Sequence, residues 1–231
     1  MPNPRLLVCD TDALIQLFLT KDSTRKLIPL RVLRDFYEIQ PVIVEEVEIE
    51  IRSSKTFLNQ FEADLKKSLT SGTISLLDAS AFLKYVPSPH ARSVFASYQG
   101  LGRQYYRYVD RGEAYTLAAA VTLNEPAMSN DFSALEVLDK QGFALPTPVL
   151  RAFDLFTFCY QTGDLVEKEC DSARQDLIRF DEGVPRSFRH ASFRDGLESF
   201  CPRLLDDAKP TIGLAPTPTA AHKSQRLIKR K

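Results

Sequence analysis

Short apolar runs alternate with longer amphipathic stretches along this chain, a pattern that predicts an α/β fold: a central parallel sheet with helices layered on both faces. Two further observations support it. The first apolar run, "LLVC", ends directly on Asp10, and charge at the carboxyl end of a strand is usual where ligands collect in such sheets. With 231 residues and 44% hydrophobic content, the chain can also bury one substantial core.

Taken in order, Arg5–Cys9 is the first predicted strand. A helix follows over Ala13–Thr20, opened by Thr11 or Asp12 as N-cap, and a second spans Ser23–Phe36, ended before Pro41. The next strand lies around Ile39–Val42. Val44–Ile51 is ambiguous, because Val44, Val47 and Ile51 have helical spacing while Val47, Ile49 and Ile51 alternate as in a strand. Phe57, Phe61, Leu65 and Leu69 recur every four residues and predict an amphipathic helix before a strand at Thr73–Leu77. Val86–Gly102, with Pro87 and Pro89, reads as a loop and an ill-defined helix. Helices are expected at Gly112–Leu123 and Phe132–Lys140, the latter closed by Gly142, with a strand at Ala127–Ser129 between them. A last strand, Phe143–Leu145, and a helix, Pro146–Tyr160, complete the domain, which is expected to span residues 1–169.

Beyond Glu169 the composition suggests short helices over 170–208, and the Pro, Thr and Ala content of 209–231 suggests a disordered tail. The 30 basic and 30 acidic residues cancel, but every formal charge after Asp207 is positive, so a mildly acidic body precedes a basic tail. Cys9, Cys159, Cys170 and Cys201 show neither metal-type nor disulfide-type spacing. No signal-peptide core and no run of about 18 apolar residues is present, so a cytoplasmic protein without a membrane span is expected.

Four acids fall at the ends of strands or in the first turns of the helices that follow: Asp10, Glu46, Glu113 and Asp131. Carboxylates gathered at one sheet edge repel one another and raise one another's pKa until a cation neutralises them. Mg²⁺ or Mn²⁺ suits such oxygen ligands, and water on the ion can attack a phosphodiester. The segments that carry these acids are "LLVCDTDAL", "VEEVEIEI", "RGEAYTLAAA" and "MSNDFSALEVLDKQG".

In that order they resemble the motifs of the PIN-domain nucleases, a family that includes toxin–antitoxin ribonucleases, over roughly Arg5 to Leu165. The resemblance implies a three-layer α/β/α fold and metal-dependent endoribonuclease activity. It places Asp10, Glu46, Glu113 and Asp131 in an acidic Mg²⁺ or Mn²⁺ site, with Thr11, Ser129 and Asn130 as supporting polar residues. An RNA substrate, a homodimer and an antitoxin partner are implied in the same way. The second motif leaves Glu45 and Glu46 as alternatives, and the third leaves Asp110 and Glu113.

Local explanations compete with this site. Asp10 and Asp12 can cap the following helix, Glu113 and Asp131 can complement helix dipoles, and the glutamates after Val44 can form a solvated face. None of these explains four acids in one order at one edge. "GRQYYRYVDR" interleaves Arg103, Arg107 and Arg111 with Tyr105, Tyr106 and Tyr108, which suits RNA contact as well as a half-buried helix. Two rival classes remain: a PIN-fold module that binds RNA or protein without catalysis, and a haloacid-dehalogenase-type phosphohydrolase, which also carries DxD after its first strand. Leu14 stands where the latter has a small or β-branched residue.

Overall fold

In the computed structural model, residues 5–20, 27–53, 60–86, 89–146, 148–179, 184 and 186–199 are described. The predicted tail, residues 209–231, lies outside them, as do Cys201 and the predicted starts of the helices at Ser23 and Phe57.

Five strands form one all-parallel sheet in the order β3-β2-β1-β4-β5. They are β1 (Arg5–Cys9), β2 (Ile39–Val44), β3 (Ser75–Leu77), β4 (Ala127–Met128) and β5 (Val149–Leu150). Arg5 to Val8 of β1 stand opposite Ile39 to Val42 of β2, and Val8 and Cys9 opposite Ala127 and Met128 of β4. The inner strands are apolar and buried on both faces, as parallel strands covered by helices must be. With its flanking helices this is the three-layer α/β/α architecture expected from the sequence.

Helices α1 (Thr11–Leu19), α2 (Ile28–Tyr37), α3 (Glu45–Ser53) and α4 (Gln60–Thr70) connect the first three strands. The ambiguous stretch after Val44 is therefore helical: Val47 and Ile51 are its buried stripe, and Ile49 is exposed. Two segments differ from the sequence expectation. Helix α5 (Ala79–Tyr85) starts where Asp78 accepts a hydrogen bond from the Ala81 N–H at 2.7 Å. The stretch read as loop holds α6 (Ala91–Tyr105), the longest helix among the described residues. Gly100, Gly102 and the prolines ahead of it lower its local propensity. Packing outweighs that: Phe82 stacks on Tyr98 with ring centroids 4.9 Å apart, and a Cβ on Gly102 would lie 2.7 Å from the Tyr115 ring.

Helices α7 (Arg111–Leu123) and α8 (Phe132–Lys140) match their predicted spans closely. The last strand does not. Gly142, at φ +76°, ends α8, and the Phe143 N–H bonds back to the Leu138 carbonyl. Phe143 then packs edge-on against Tyr105 and Tyr108, and the Tyr105 hydroxyl donates to the Ala144 carbonyl. Residues 143–145 are thereby held against α6, so β5 begins only at Val149 and α9 (Ala152–Gln161) only after it.

Helices α10 (Glu167–Arg179), α11 (Arg186–Arg189) and α12 (Phe193–Ser199) follow. The expected boundary at residue 169 falls inside α10, and Cys170, Leu177, Phe188 and Phe193 belong to the same buried core as the sheet. Phe188 and Phe193 pack on Phe153, in the first turn of α9, at 4.8 and 5.9 Å between centroids. Among the described residues no helix is long and apolar enough to cross a membrane.

Candidate active site

The carboxyl ends of β1 and β4 open into a cleft of about 740 Å³. Six carboxyl side chains line it, Asp10, Asp12, Glu50, Asp110, Glu113 and Asp131, against two guanidinium groups, Arg107 and Arg111.

Asp10 follows β1 and is only 4% exposed. It occupies the N-cap position of α1, yet its side chain makes no capping bond, and Oδ1 has no hydrogen-bond partner among the described residues. The simple capping explanation therefore does not account for it. Glu113, in the first turn of α7, is 5% exposed and hydrogen-bonds to Asp10. The Ser129 hydroxyl donates to both of its oxygens at 3.0 Å, and Ser129 is itself held by the Asp131 N–H at 3.2 Å. Burial raises the pKa of both acids, to about 7 for Asp10 and about 10 for Glu113, where the charge of Asp10 adds to the effect. At neutral pH the metal-free pair thus shares a proton.

Asp131 sits at the cleft rim as the N-cap of α8. Its Oδ1 accepts from the N–H groups of Ser133 and Ala134, at 2.9 and 3.0 Å, and from the Ser133 hydroxyl. Here the capping explanation holds, alongside the position in the cleft. Asn130 turns away: its Oδ1 accepts from the Ala152 N–H at 3.1 Å and fixes the start of α9 beside β4.

Glu46 is the expected site residue that the cleft does not contain. It lies in the first turn of α3, 9% exposed, facing the Tyr98 hydroxyl at 3.3 Å and the Arg111 guanidinium at 3.8 Å. One turn further along α3, Glu50 lines the cleft. Glu50 accepts from the Thr11 hydroxyl and the Gly112 N–H, both at 2.7 Å, and joins the starts of α1 and α7. Glu45 is exposed and lines no part of the cleft, whereas both Asp110 and Glu113 line it. The glutamate that accepts from both the Thr11 hydroxyl and the Gly112 N–H lies in the second turn of α3, whereas Glu46 in its first turn meets Tyr98 and Arg111. The fourfold spacing between Glu46 and Glu50 was the available signal.

Of the three arginines, Arg107 lines the cleft, Arg111 is tied toward Glu46 and over the Tyr115 ring, and Arg103 does not line it. Tyr106 and Tyr108, 55% and 45% exposed, stand beside Arg107, with Val137 of α8 also exposed on the cleft. Among the described residues no three His, Cys, Asp or Glu side chains form a ready-made metal cage. The Asp10–Glu113 pair nonetheless fits an ion such as Mg²⁺, which takes one or two carboxylates and keeps several waters: the donors are hard oxygens, and a buried Asp10 oxygen lacks a partner.

No protein-family model matches this chain, and no curated protein does. One solved structure is similar to it, VapBC2 from Rickettsia felis bound to a DNA fragment from their promoter, with a TM-score of 0.39 and 14% identity over 57% of this chain and 92% of that one. A likeness of that size assigns no function.

Proposed function

We propose that the cleft hydrolyses RNA phosphodiesters as a metal-dependent endoribonuclease of the PIN type. The observation that carries this reading is the buried Asp10–Glu113 pair, two carboxyl groups in hydrogen-bonding contact at the floor of an open cleft. Such a pair is costly unless a proton or a cation lies between its members. Asp10 and Glu113 would hold Mg²⁺ or Mn²⁺ in place of that proton, with Asp131 at the rim. When bound, the ion supplies an acidified water able to attack phosphorus. Ser129 keeps the Glu113 carboxyl aimed at Asp10, and Glu50 keeps Thr11 and Gly112 together across the mouth. Arg107 takes a phosphate beside the acids, and Tyr106 and Tyr108 offer ring faces on which unpaired bases stack. A cytoplasmic homodimer and an antitoxin that covers the cleft, both implied by the motifs, belong to the same proposal.

The test is cleavage of a single-stranded RNA by the full chain with Mn²⁺ or Mg²⁺. Cleavage is expected to stop in EDTA and to fall at least about 100-fold in Asp10→Asn, which keeps the side chain's shape and removes its charge. Failure of the unaltered chain to cleave with either ion, or full activity in Asp10→Asn, overturns the proposal.

A further inference from the structure

We infer that the outer face of α6 binds the stretch of single-stranded RNA that leads into the cleft, so that the substrate is held along the helix as well as at the acids. Six carboxyl groups against two arginines repel a polyanion, so affinity for RNA has to come from beyond the acid floor. The neighbouring surface carries the opposite charge. From Ala79 to Val109 the chain has no Asp or Glu, its longest acid-free run, while Lys84, Arg92, Arg103 and Arg107 fall within it. That run contains α6 and the turn after it, which reaches the cleft at Tyr106, Arg107 and Tyr108.

Three of these cations are unengaged. Arg92, Arg103 and Arg107 are exposed, and none has an ion pair, a hydrogen bond or a ring contact among the described residues. The other arginines whose side chains are described are each held by a partner, most of them by a carboxylate. Arg92 and Arg103 return to one side of α6 after about three turns, roughly 16 Å along its axis, with Ala96 and Gln99 between them on that side. Gly100 stands beside this row. It is helical, and a Cβ there would meet nothing within 4 Å, so neither packing nor backbone conformation calls for a residue that weakens the helix. Its absence of a side chain leaves the face low enough for a backbone to lie against. Guanidinium groups spaced along such a face, ending at two exposed tyrosine rings, match the phosphates and stackable bases of a single strand. A protein partner would need apolar anchors, and among the described residues of α6 no large apolar side chain is exposed. Binding along α6 needs only these charges; delivery of the strand to the Asp10–Glu113 pair rests on the nuclease reading.

Fluorescence anisotropy of the full chain in EDTA tests the binding without cleavage. A labelled oligouridylate of about 16 nucleotides is expected to bind, and one of about 4 nucleotides to bind far more weakly. The Arg92→Gln, Arg103→Gln variant breaks no contact of the fold. It is expected to bind the longer strand several-fold more weakly at low salt and to lose about 0.7 per arginine from the slope of log affinity against log salt. A Lys66→Gln, Lys67→Gln variant removes the same charge from the exposed side of α4 and should bind as the unaltered chain does. Equal weakening in the two variants, no weakening in the arginine variant, or no binding of the longer strand by the unaltered chain overturns the inference.

The second arm measures RNA cleavage with Mn²⁺ by the full chain and by the arginine variant. KM for the longer strand is expected to rise several-fold with kcat unchanged, and cleavage of the shorter strand to stay as it was. A fall in kcat at constant KM, or an equal loss on both lengths, overturns delivery of the strand along α6. If neither protein cleaves, the nuclease reading fails while anisotropy still decides the binding.

Discussion

The two ends of the sheet each bury carboxyl groups, and they treat them in opposite ways. At the amino end, Glu125 sits just before β4 and is 8% exposed. The Tyr85 hydroxyl donates to it at 2.5 Å, and Arg5 of β1 lies 3.8 Å away, so its negative charge is matched by a donor and a cation. At the carboxyl end, Asp10 and Glu113 face each other, helped by Ser129 but without a cation in contact with the pair. A buried acid with its own partners is part of the scaffold. A buried pair that can only share a proton is instead a place where the fold gives up stability.

The sharpest way to break this comparison is to remove one acid from each end. In metal-free protein, Asp10→Asn is expected to raise stability by about 1–2 kcal/mol, since it removes a charge whose burial is costly, whereas Glu125→Ala lowers it by about 1–3 kcal/mol by taking the acceptor from the Tyr85 hydroxyl. Thermal and urea unfolding in EDTA measure both, and a loss in each would make the two ends equivalent.

pH sharpens the same contrast. Because the folded pKa values of Asp10 and Glu113 lie above the ordinary carboxylate range, the native state holds a proton that the unfolded chain releases. The stability this proton lends is fully present below the ordinary range and is lost as pH rises toward about 7, then on toward about 10. The metal-free unfolding midpoint should therefore fall between pH 5 and pH 8, with a slope of up to about 1.4 kcal/mol per pH unit for one proton. The Asp10→Asn, Glu113→Gln double variant should lose that slope, and so should the unaltered chain in saturating Mn²⁺, which would keep both carboxylates ionised. A slope that persists in the double variant would place the titration elsewhere.

A smaller effect separates two glutamates on one helix. Glu50→Gln is expected to lower RNA cleavage about 10- to 100-fold, since it weakens the link between Thr11 and Gly112, while Glu46→Gln leaves cleavage within a few-fold. Equal losses would return Glu46 to the site. The smallest effect concerns Asp131, whose capping bonds Asn can replace: Asp131→Ala should cost about 1 kcal/mol of metal-free stability and Asp131→Asn close to nothing, as read by thermal unfolding.

Much of this architecture was legible in the sequence because it rests on local signals. The "LLVC" run became β1, and Gly142 marked the end of α8. What stayed hidden depends on contacts distant in the chain. Helix α6 contains two glycines and follows two prolines, and it is held by Phe82 and Tyr115, which no local window contains. β5 was misplaced because Phe143 looks like a strand residue until Tyr105 and Tyr108 are seen to claim it. In the candidate site, Asp10, Glu113 and Asp131 follow from their places beside strand ends, but the presence of Glu50 in the cleft turns on which glutamate of α3 reaches Thr11 and Gly112.

That meeting point sets when the protein can act during its own synthesis. Glu50 bonds to Thr11 and to Gly112 across 39 and 62 residues of sequence, and a Cβ at position 112 would lie 2.2 Å from the Glu50 carboxylate, so any side chain there would push that carboxylate out of the join. A nascent chain that has emerged only through α6 already carries Asp10 and Glu50, yet has neither Gly112 to close the mouth nor Glu113 to form its floor. Because synthesis delivers the chain from its amino end, the cleft comes into being only after α7, β4 and the start of α8 have folded onto β1.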